Sequence, residues 1–413
     1  MAGTSGKMKK TDRHSRILLI DNDGLSHYTS YLARGLVKYR DITLYGFSKL
    51  DYTVTGAAKD DRIKFYWIGK KLHRGTRPVK VIGQSFYLLS ELFRALLGKS
   101  KYDIVHIQGH LPMFFLFIPF LKIKKKQIYW TLHDVELMPS YGGIKGQIEV
   151  LYIKISTQPI LLKKYAHVII VHGLFLKKQL EAKGIDKNKI HVIPHFDYRY
   201  LLDHSGNMYH DNQYNVIRRS DNSVFPKEEY ILFIGHITPY KGIDILVKAA
   251  KIVRLRIQDN RLSVVIAGKG DTSYFDNLLD KGEHESKYIH MLNKYITSSE
   301  IPEILSNAKF VVLPYTTAFQ YSVSGIIPLA YTFSKPVIVS NVGSLVEYVD
   351  HGKTGFVFEA GNVEELADYI IELLKDERKC IEMGKSGHEK MMKEMSLEKC
   401  CETINDLYNQ KQL

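Results

Sequence analysis

The stretch YILFIGHITPYKGIDILVKAA, residues 230–250, decides the fold of this chain. Five apolar residues come first, the run breaks at Gly235, the chain turns through Pro239, and apolar residues then recur at helical spacing from Gly242. A short apolar run that ends in a turn and leads into a helix is typical of a strand–helix unit. The sequence therefore predicts a βα unit here.

The same alternation occurs on both sides of this stretch. The strand-like runs before it are RILLIDN, ITLYGF, RIKFYWIG, YDIVHIQ, QIYWTLH and HVIIVH, and those after it are LSVVIAG, KYIHML, KFVVLPY, KPVIVSN and FVFE. Helical patterns separate the runs, which indicates βαβ units and parallel sheets. The predicted fold class is α/β, with two doubly wound, Rossmann-like domains that face each other across a cleft.

The domain boundaries follow from a break in this alternation. Residues 201–228 lose the apolar period and are rich in Asp, Asn, Ser and His, so they are predicted to form a linker or loop region. We expect an N-terminal Rossmann-like domain over 1–200 and a C-terminal Rossmann-like domain over 229–392. A C-terminal helix over 393–413 is expected to pack back toward the N-terminal domain.

Composition excludes several classes of protein. The three cysteines, Cys380, Cys400 and Cys401, form neither a disulfide framework nor a zinc pattern, which indicates a reducing compartment. The N-terminus lacks the apolar segment of a signal peptide. The most apolar run, residues 111–121, is shorter than the about 20 residues that a membrane-spanning helix needs. The sequence thus predicts a cytoplasmic location.

The positive charge is concentrated in the first half of the chain. Residues 1–200 contain 34 Lys and Arg against 15 Asp and Glu, whereas the whole chain has a formal charge of +14. This asymmetry indicates an anionic surface as partner, with a merely solvated basic surface as the alternative. The predicted membrane-facing segment is PMFFLFIPFLKIKKK, residues 112–126, with Lys122, Lys124, Lys125 and Lys126. The alternative is a core helix that ends in a basic turn.

In the second half, the turn after YILFI carries a cation beside a helix start. His236 follows Gly235, and Lys241 with Gly242 opens the helix. Free backbone N–H groups at a helix N-terminus attract anions, and a lysine adds a full positive charge. This arrangement predicts a phosphate cradle, although a plain surface turn would show the same pattern.

Glycine and hydroxyl groups follow the later strands. Gly268 and Gly270 end one run, and AFQYSVSGIIPLAY, residues 318–331, is an uncharged loop that leads into a helix. The hydrogen-bonding groups before its glycine include Tyr315, Gln320, Ser322 and Ser324, and the glycine is Gly325. Such neutral groups suit sugar hydroxyls, whereas a helix cap by one of the serines is the alternative. Together these strand ends favour a nucleotide diphosphate as ligand.

Two strand ends of the first half carry polar pairs. Asp21, Asp23 and Gly24 follow RILLI, and His133 with Asp134 follows QIYWTL. An Asp-x-Asp triplet can bind Mg²⁺ or Mn²⁺, but one such triplet is expected by chance, so no metal site is predicted. Gly24 is interpreted as a glycine that lets a ligand approach the backbone. The His–Asp pair is predicted to face the cleft, with a capped helix start as the alternative.

These segments resemble a known family. GHITPYKGIDILVKA, IAGKG, VVLPY and KPVIVSNVGSLVEYVDHGKTGFVFEAGNVEELADYI are similar to the C-terminal domain of glycosyltransferase family 4, the group 1 set with a GT-B fold, over most of 229–375. DGLSHYTSYLARGL and WTLHD resemble the N-terminal domain of that family more loosely. The resemblance implies a UDP- or GDP-linked sugar as co-substrate, no permanently bound cofactor and no metal. It also implies that the domain over 1–200 binds the acceptor and that the domain over 229–392 binds the nucleotide sugar.

The resemblance also implies roles for single residues. Lys241 would bind the donor diphosphate, and His236 stands where the family usually has an arginine. Gly24 would face the phosphates, His133 would lie near the donor sugar or acceptor, and Glu347 near the nucleotide. His133, Lys241 and His236 are accordingly the predicted catalytic residues. The predicted donor-binding residues are Gly24, Gly235, Lys241, Gly268, Gly270, Tyr315, Gln320, Ser322, Ser324, Gly325 and Glu347.

The sequence departs from the family in the donor loop. The family commonly has two glutamates, separated by seven residues, before its KPVI-like strand. This chain has Tyr321 and Leu329 there, or Gln320 and Pro328 in a shifted register. The loop resembles a branch with a Q-x-S-G-I-I-P-L-A-Y pattern that is associated with bacterial polysaccharide assembly. Lys241 and helix N-termini can stabilise a leaving diphosphate without those acids.

Three functions are compatible with this sequence. The predicted one is a glycosyltransferase, peripherally bound to the inner membrane face, that moves a sugar to a lipid-linked saccharide acceptor in polysaccharide or glycolipid synthesis. The second is a non-catalytic scaffold or nucleotide-sensing subunit, which the missing acids suggest. The third, a nucleotide-sugar epimerase, would need carboxylates in the cleft as acid and base. Nucleic-acid binding is not predicted, because the basic residues form no recognised module.

Overall fold

The structure is a computed structural model that describes residues 16–21, 26–46, 49–67, 90, 93, 102–109, 121, 125–134, 159–203, 229–257, 262–274, 288–318 and 324–410. Two parallel sheets, each with helices packed on it, account for most of these ranges. Of the predicted site residues, Gly24, Lys122, Lys124, Gln320 and Ser322 lie outside the described residues. Most of the predicted linker, from 204 to 228, also lies outside them.

The first sheet has seven parallel strands in the order β3-β2-β1-β4-β5-β6-β7. They are β1 (Arg16–Ile20), β2 (Ile42–Gly46), β3 (Ile63–Trp67), β4 (Tyr102–Gln108), β5 (Gln127–Leu132), β6 (Val168–Val171) and β7 (Ile190–Val192). Four successive residues of β1, from Ile17 to Ile20, are buried. A strand that is covered on both faces needs apolar residues at every position, which explains the continuous apolar runs.

In the first half, the helices whose bounds the structure describes are α1 (Ser26–Leu36), α2 (Lys49–Val54), α3 (Pro159–Tyr165), α4 (Leu174–Ala182) and α5 (Tyr200–Asp203). The buried carboxylate of Asp21 fixes the start of α1. It accepts hydrogen bonds from Ser26 Oγ at 2.5 Å and from Thr29 Oγ1 at 2.7 Å. Because both carboxylate oxygens are engaged in this way, Asp21 has a structural contact that accounts for its place after β1.

The second sheet has six parallel strands in the order β10-β9-β8-β11-β12-β13. They are β8 (Tyr230–Ile234), β9 (Val264–Gly268), β10 (Ile289–Asn293), β11 (Ala308–Leu313), β12 (Val337–Ser340) and β13 (Gly355–Phe358). The helices with it are α6 (Ile243–Ile257), α7 (Ile301–Ser306), α8 (Ile326–Thr332), α9 (Leu345–Tyr348), α10 (Val363–Lys375) and α11 (Glu377–Glu394). The two parallel sheets confirm the predicted α/β class with two Rossmann-like domains.

The last described helix, α12 (Leu397–Gln410), packs on the first half of the chain. Tyr129 Oη in β5 donates to the Leu407 carbonyl at 2.9 Å, and His106 Nδ1 in β4 lies 2.6 Å from Tyr408 Oη. Gly35 in α1 lies so close to α12 that an added Cβ would overlap Cys401 Sγ. In the described residues, the chain leaves the first domain after β7 and returns to it after α11. We call residues 193–199 the first crossing segment and residues 395–397 the second crossing segment.

Across the described ranges, the helices are all too short or too polar to cross a lipid bilayer.

Candidate active site

Lys241 lies in the tight turn between β8 and α6, at the carboxyl edge of the second sheet. Gly242 follows it with a φ of 65°, and an added Cβ there would overlap the carbonyl oxygen of Pro314. Only glycine suits a position with both constraints, so the turn packs closely on the end of β11. The Lys241 ammonium consequently sits 3.8 Å from the ring centroid of Tyr315.

Burial lowers the pKa of Lys241 to about 8, while Tyr240 and Asp134 act in the opposite direction. Tyr240 is the neighbouring residue, with its ring centroid 5.2 Å from Nζ. Asp134 follows β5 in the first half, so its influence shows that the edges of the two sheets face each other. The ammonium stays largely protonated at neutral pH. Because this ammonium is half-buried, an anionic partner would stabilise its charge more than solvent does.

Tyr315 forms the floor below this ammonium. The tyrosine is fully buried, and its hydroxyl lies 3.1 Å from Ser324 Oγ. Ser340, at the end of β12, donates from Oγ to the Tyr315 carbonyl at 2.6 Å. Ser324 Oγ also accepts from the Ile326 N–H at 3.4 Å, as the helix-cap alternative predicts. Direct contacts of Tyr315 and Ser324 with a donor stay predictions.

The three predicted glycines near β8 and β9 differ in their surroundings. An added Cβ on Gly268 would overlap the Gly235 carbonyl oxygen, and one on Gly270 would overlap that of Ile237. These two glycines thus allow the ends of β8 and β9 to approach each other. Gly235 has a φ of 144°, and a Cβ there would meet nothing within 4 Å. It is the glycine of the three that faces open space, beside the exposed His236.

His133 belongs to a buried aromatic cluster in the first half. Its ring centroid is 4.5 Å from His172, 6.1 Å from His195 and 4.6 Å from Tyr28. Burial lowers the pKa of His172 to about 4, and His172 Nδ1 lies 2.8 Å from the Ile193 carbonyl. Nδ1 therefore carries the proton of the neutral ring.

The cluster also supports the start of α8. An added Cβ on Gly325 would lie 2.6 Å from Tyr198 Oη and 3.3 Å from His195 Nε2. The loop that lacks the family's acids thus ends against imidazole and phenol groups of the first half. His172 and His195 are not among the predicted site residues. His172 ends the predicted strand run HVIIVH, whereas His195 follows β7, a strand that is not among the predicted runs.

Glu347 makes a different contact from the one that the resemblance implied. Its carboxylate accepts hydrogen bonds from the backbone N–H groups of Leu174 at 2.5 Å and Phe175 at 2.7 Å. These groups begin α4 in the first half. A contact with the nucleotide stays a prediction, and the contact in this structure is between domains.

The predicted membrane-facing segment is described only in part. Lys125 is exposed, whereas Lys126 donates from Nζ to the Tyr102 carbonyl and is partly buried. Among the residues that the structure describes, there is also no group of three or more His, Cys, Asp or Glu side chains that could hold a metal ion.

Comparison with known proteins gives family models for both halves. The model described as Glycosyltransferase Family 4 matches residues 22–196. The model described as Glycosyl transferases group 1 matches residues 217–390. The two matches together include strands β2 to β13, as well as His133, Asp134 and Lys241 at the facing edges of the sheets.

Individual relatives agree with these models. An uncharacterized glycosyltransferase of Methanocaldococcus jannaschii is 23% identical over 363 residues, which is 86% of this chain and 85% of that protein. A GDP-mannose-dependent alpha-(1-6)-phosphatidylinositol monomannoside mannosyltransferase of Mycobacterium tuberculosis is 29% identical over 164 residues, 38% of this chain and 42% of that protein.

A solved structure shows the same fold over the whole length. The crystal structure of Anabaena HepE in complex with UDP and glucose matches with a TM-score of 0.64 and 15% identity, covering 96% of this chain and 100% of that chain. Since two family models account for both domains and the fold extends over both sheets, the chain belongs to the group 1 glycosyltransferases of family 4, with a GT-B fold.

Proposed function

We propose that this glycosyltransferase takes a sugar from a UDP- or GDP-linked donor and transfers it to a lipid-linked saccharide in cell-surface polysaccharide or glycolipid synthesis. The observation that supports this most directly is the ammonium of Lys241. It lies at the carboxyl edge of the second sheet, on the ring of Tyr315, and faces Asp134 across the cleft. Ligands of open parallel sheets bind at that edge.

The chemistry of transfer explains why a cation is needed there. As the bond between sugar and diphosphate breaks, negative charge develops on the leaving phosphate oxygens. Lys241 would stabilise that charge, and a preorganised group of this kind contributes about 10²–10³ in rate. Gly235 lets the diphosphate approach the backbone, because the space beside it is open. His133, in the facing wall, would lie beside the transferred sugar.

Relatives support the nature of donor and acceptor. HepE was crystallised with UDP and glucose, and the mycobacterial relative is named for GDP-mannose and a phosphatidylinositol acceptor. The HepE title gives a nucleotide and a sugar, and the mycobacterial name gives a nucleotide-linked sugar and an acceptor that carries a lipid. These properties, transferred to this chain, are part of the proposal.

A peripheral position on the inner membrane face is also part of the proposal. Four exposed lysines in and after α3 and α4 add to the basic surface: Lys163, Lys164, Lys178 and Lys187. Each basic residue near an anionic lipid surface contributes about 1 kcal/mol. Flotation with anionic and with neutral vesicles measures this term, and equal binding to both would contradict it.

The donor site is tested by calorimetric titration with UDP, GDP and ADP. We expect one of the three to bind, and Lys241→Met to weaken it by about 10–100-fold, as expected for the loss of a charged hydrogen bond. The matched control is Lys248→Met, an exposed lysine of α6 that pairs with Asp244 at 3.1 Å. If the wild type binds none, or if both variants bind equally well, Lys241 is not a donor residue.

A further inference from the structure

The single-turn helix α9 of the second half forms hydrogen bonds with residues 172–175 of the first half. Glu347 accepts hydrogen bonds from the N–H groups of Leu174 and Phe175. The next residue, Tyr348, donates from its hydroxyl to the His172 carbonyl at 2.6 Å. The Tyr348 hydroxyl also accepts from the His195 N–H at 2.9 Å. We call these four hydrogen bonds the α9 contact.

The start of α4 depends on this contact for its cap. The residue before the helix is Gly173, which has no side chain to accept from the first N–H groups. Those groups carry the positive end of the helix dipole and need an acceptor. Glu347 supplies a charged one from the other domain. The cap is therefore complete only while the two domains keep their present separation.

The α9 contact is connected to the wall of the cleft in the second domain. α9 follows β12, and Ser340 at the end of β12 holds the carbonyl of Tyr315 at 2.6 Å. Tyr315 is in turn the floor below Lys241. A movement of α9 would thus be transmitted through one strand end to the ammonium.

The contact is equally close to the wall in the first domain. His172, whose carbonyl accepts from Tyr348, lies beside His133, with 4.5 Å between ring centroids and the rings tilted by 54°. His133 directly precedes Asp134, which acts on the ammonium of Lys241 from across the cleft. The same four hydrogen bonds therefore fix both walls.

We propose that Glu347 is a positioning residue for the transfer reaction. It acts through the start of α4, and it holds the domains at the separation at which Asp134 faces Lys241. This inference rests on the proposed function, because the cleft that it shapes is the proposed donor site. It assigns the carboxylate to domain closure rather than to contact with the nucleotide.

The first test removes the carboxylate and measures the domain separation. Spin labels on cysteines at the exposed positions Lys59 and Lys353 report the distance between the domains. Labelling is selective, since the three native cysteines are buried. We expect Glu347→Ala to shift the distances to longer values and to lower kcat by about 10-fold, the size of a lost charged cap. The affinity for the nucleoside diphosphate should change less than about 2-fold.

The matched control is Glu389→Ala, which removes an exposed carboxylate of α11 in the same domain. It should change neither the distance nor kcat. If Glu347→Ala instead abolishes nucleotide binding at an unchanged distance, the carboxylate contacts the nucleotide and the inference is wrong. Unchanged distance with unchanged kcat would also overturn it.

A second test approaches the contact from the first domain. An added Cβ on Gly173 would overlap Ser344 Oγ and lie 2.8 Å from Ser344 Cβ. Gly173→Ala should therefore separate the domains while Glu347 is intact. Ser344→Gly removes the two nearest opposing atoms and leaves only Glu347 Oε2, the end of a flexible side chain, at 3.1 Å, so the double variant should recover the wild-type distance and most of kcat.

This pair separates positioning from misfolding, because a misfolded variant would not be rescued by a second substitution in the other domain. A double variant that stays open would contradict the inference. If the wild-type protein shows no turnover with any donor, the proposed function fails. The distance measurements still decide whether the α9 contact holds the domains.

Discussion

At the scale of single residues, the chemistry of the cleft depends on how Lys241 is surrounded. The ring of Tyr315 lies on one side of the ammonium and Tyr240 is nearby, so the side chain is half-buried. This burial lowers the pKa to about 8. Lys241 is therefore mostly cationic at neutral pH, as the proposed binding of a diphosphate requires. It loses its charge within the pH range that an assay can cover.

The affinity for a nucleoside diphosphate should therefore depend on pH between 7.5 and 9.5. Below its pKa of about 8, Lys241 is cationic and, under the proposed function, would bind the anion directly. Above it, the amine must first take up a proton, so affinity falls by about tenfold per pH unit. Calorimetry across this range measures the effect. Lys241→Arg, which stays charged, should bind with an affinity that is flat over the same range, and a parallel fall in both proteins would contradict this explanation.

The residue types of the site could be predicted from the sequence, but their contacts could not. Lys241 after a strand and before a helix indicated a phosphate cradle without any structure. The spacing of Gly268 and Gly270 did not reveal that their missing side chains make room for neighbouring backbone rather than for a ligand. The resemblance implies a nucleotide contact for Glu347. Its hydrogen bonds to α4 could not be predicted, because their donors are far away in sequence.

At the scale of elements, the two crossing segments are joined by one buried carboxylate. Asp197, in the first crossing, accepts from the Leu397 N–H of the second crossing at 2.7 Å. It also accepts from the Tyr31 hydroxyl at 3.2 Å and pairs with Arg199 at 3.1 Å. Asp197 is fully buried, so these partners replace water around its charge.

Asp197→Asn should consequently destabilise the protein by about 2–3 kcal/mol, because it removes the charge of a fully buried acceptor that holds the Leu397 N–H and the Tyr31 hydroxyl. Urea unfolding measures the loss. The control is Glu398→Gln at the outer end of the same network, where the Glu398 side chain is 51% exposed. It should cost less than about 1 kcal/mol. Similar losses for the two variants would mean that Asp197 does not join the crossings in the way described.

The order of strands and helices was accessible from sequence because buried parallel strands are apolar throughout and helices are periodic. Runs such as YILFI and KFVVL appear in the structure as β8 and β11. The packing of α12 on α1 had no local signal of this kind. It depends on the fit between Gly35 and Cys401, two positions that lie far apart in the chain.

At the scale of the whole molecule, the proposed donor site has two walls that belong to different domains. The second domain carries the cation of Lys241, and the first brings Asp134 and the histidine cluster to face it. The alternation of strands and helices predicted two such domains and a cleft. It could not predict how closely the edges approach, because that distance is set by contacts such as those of Glu347 and Asp197.

The most direct test of the central claim is acceptor-dependent release of nucleoside diphosphate. UDP- and GDP-hexoses are incubated with the protein, with and without a polyprenyl-diphosphate-linked saccharide. We predict release from one donor only when the acceptor is present, and a rate about 10²–10³-fold lower in Lys241→Met. Binding of the nucleotide without release from any donor would contradict transfer and support a sensing subunit. A changed sugar without an acceptor would support an epimerase instead.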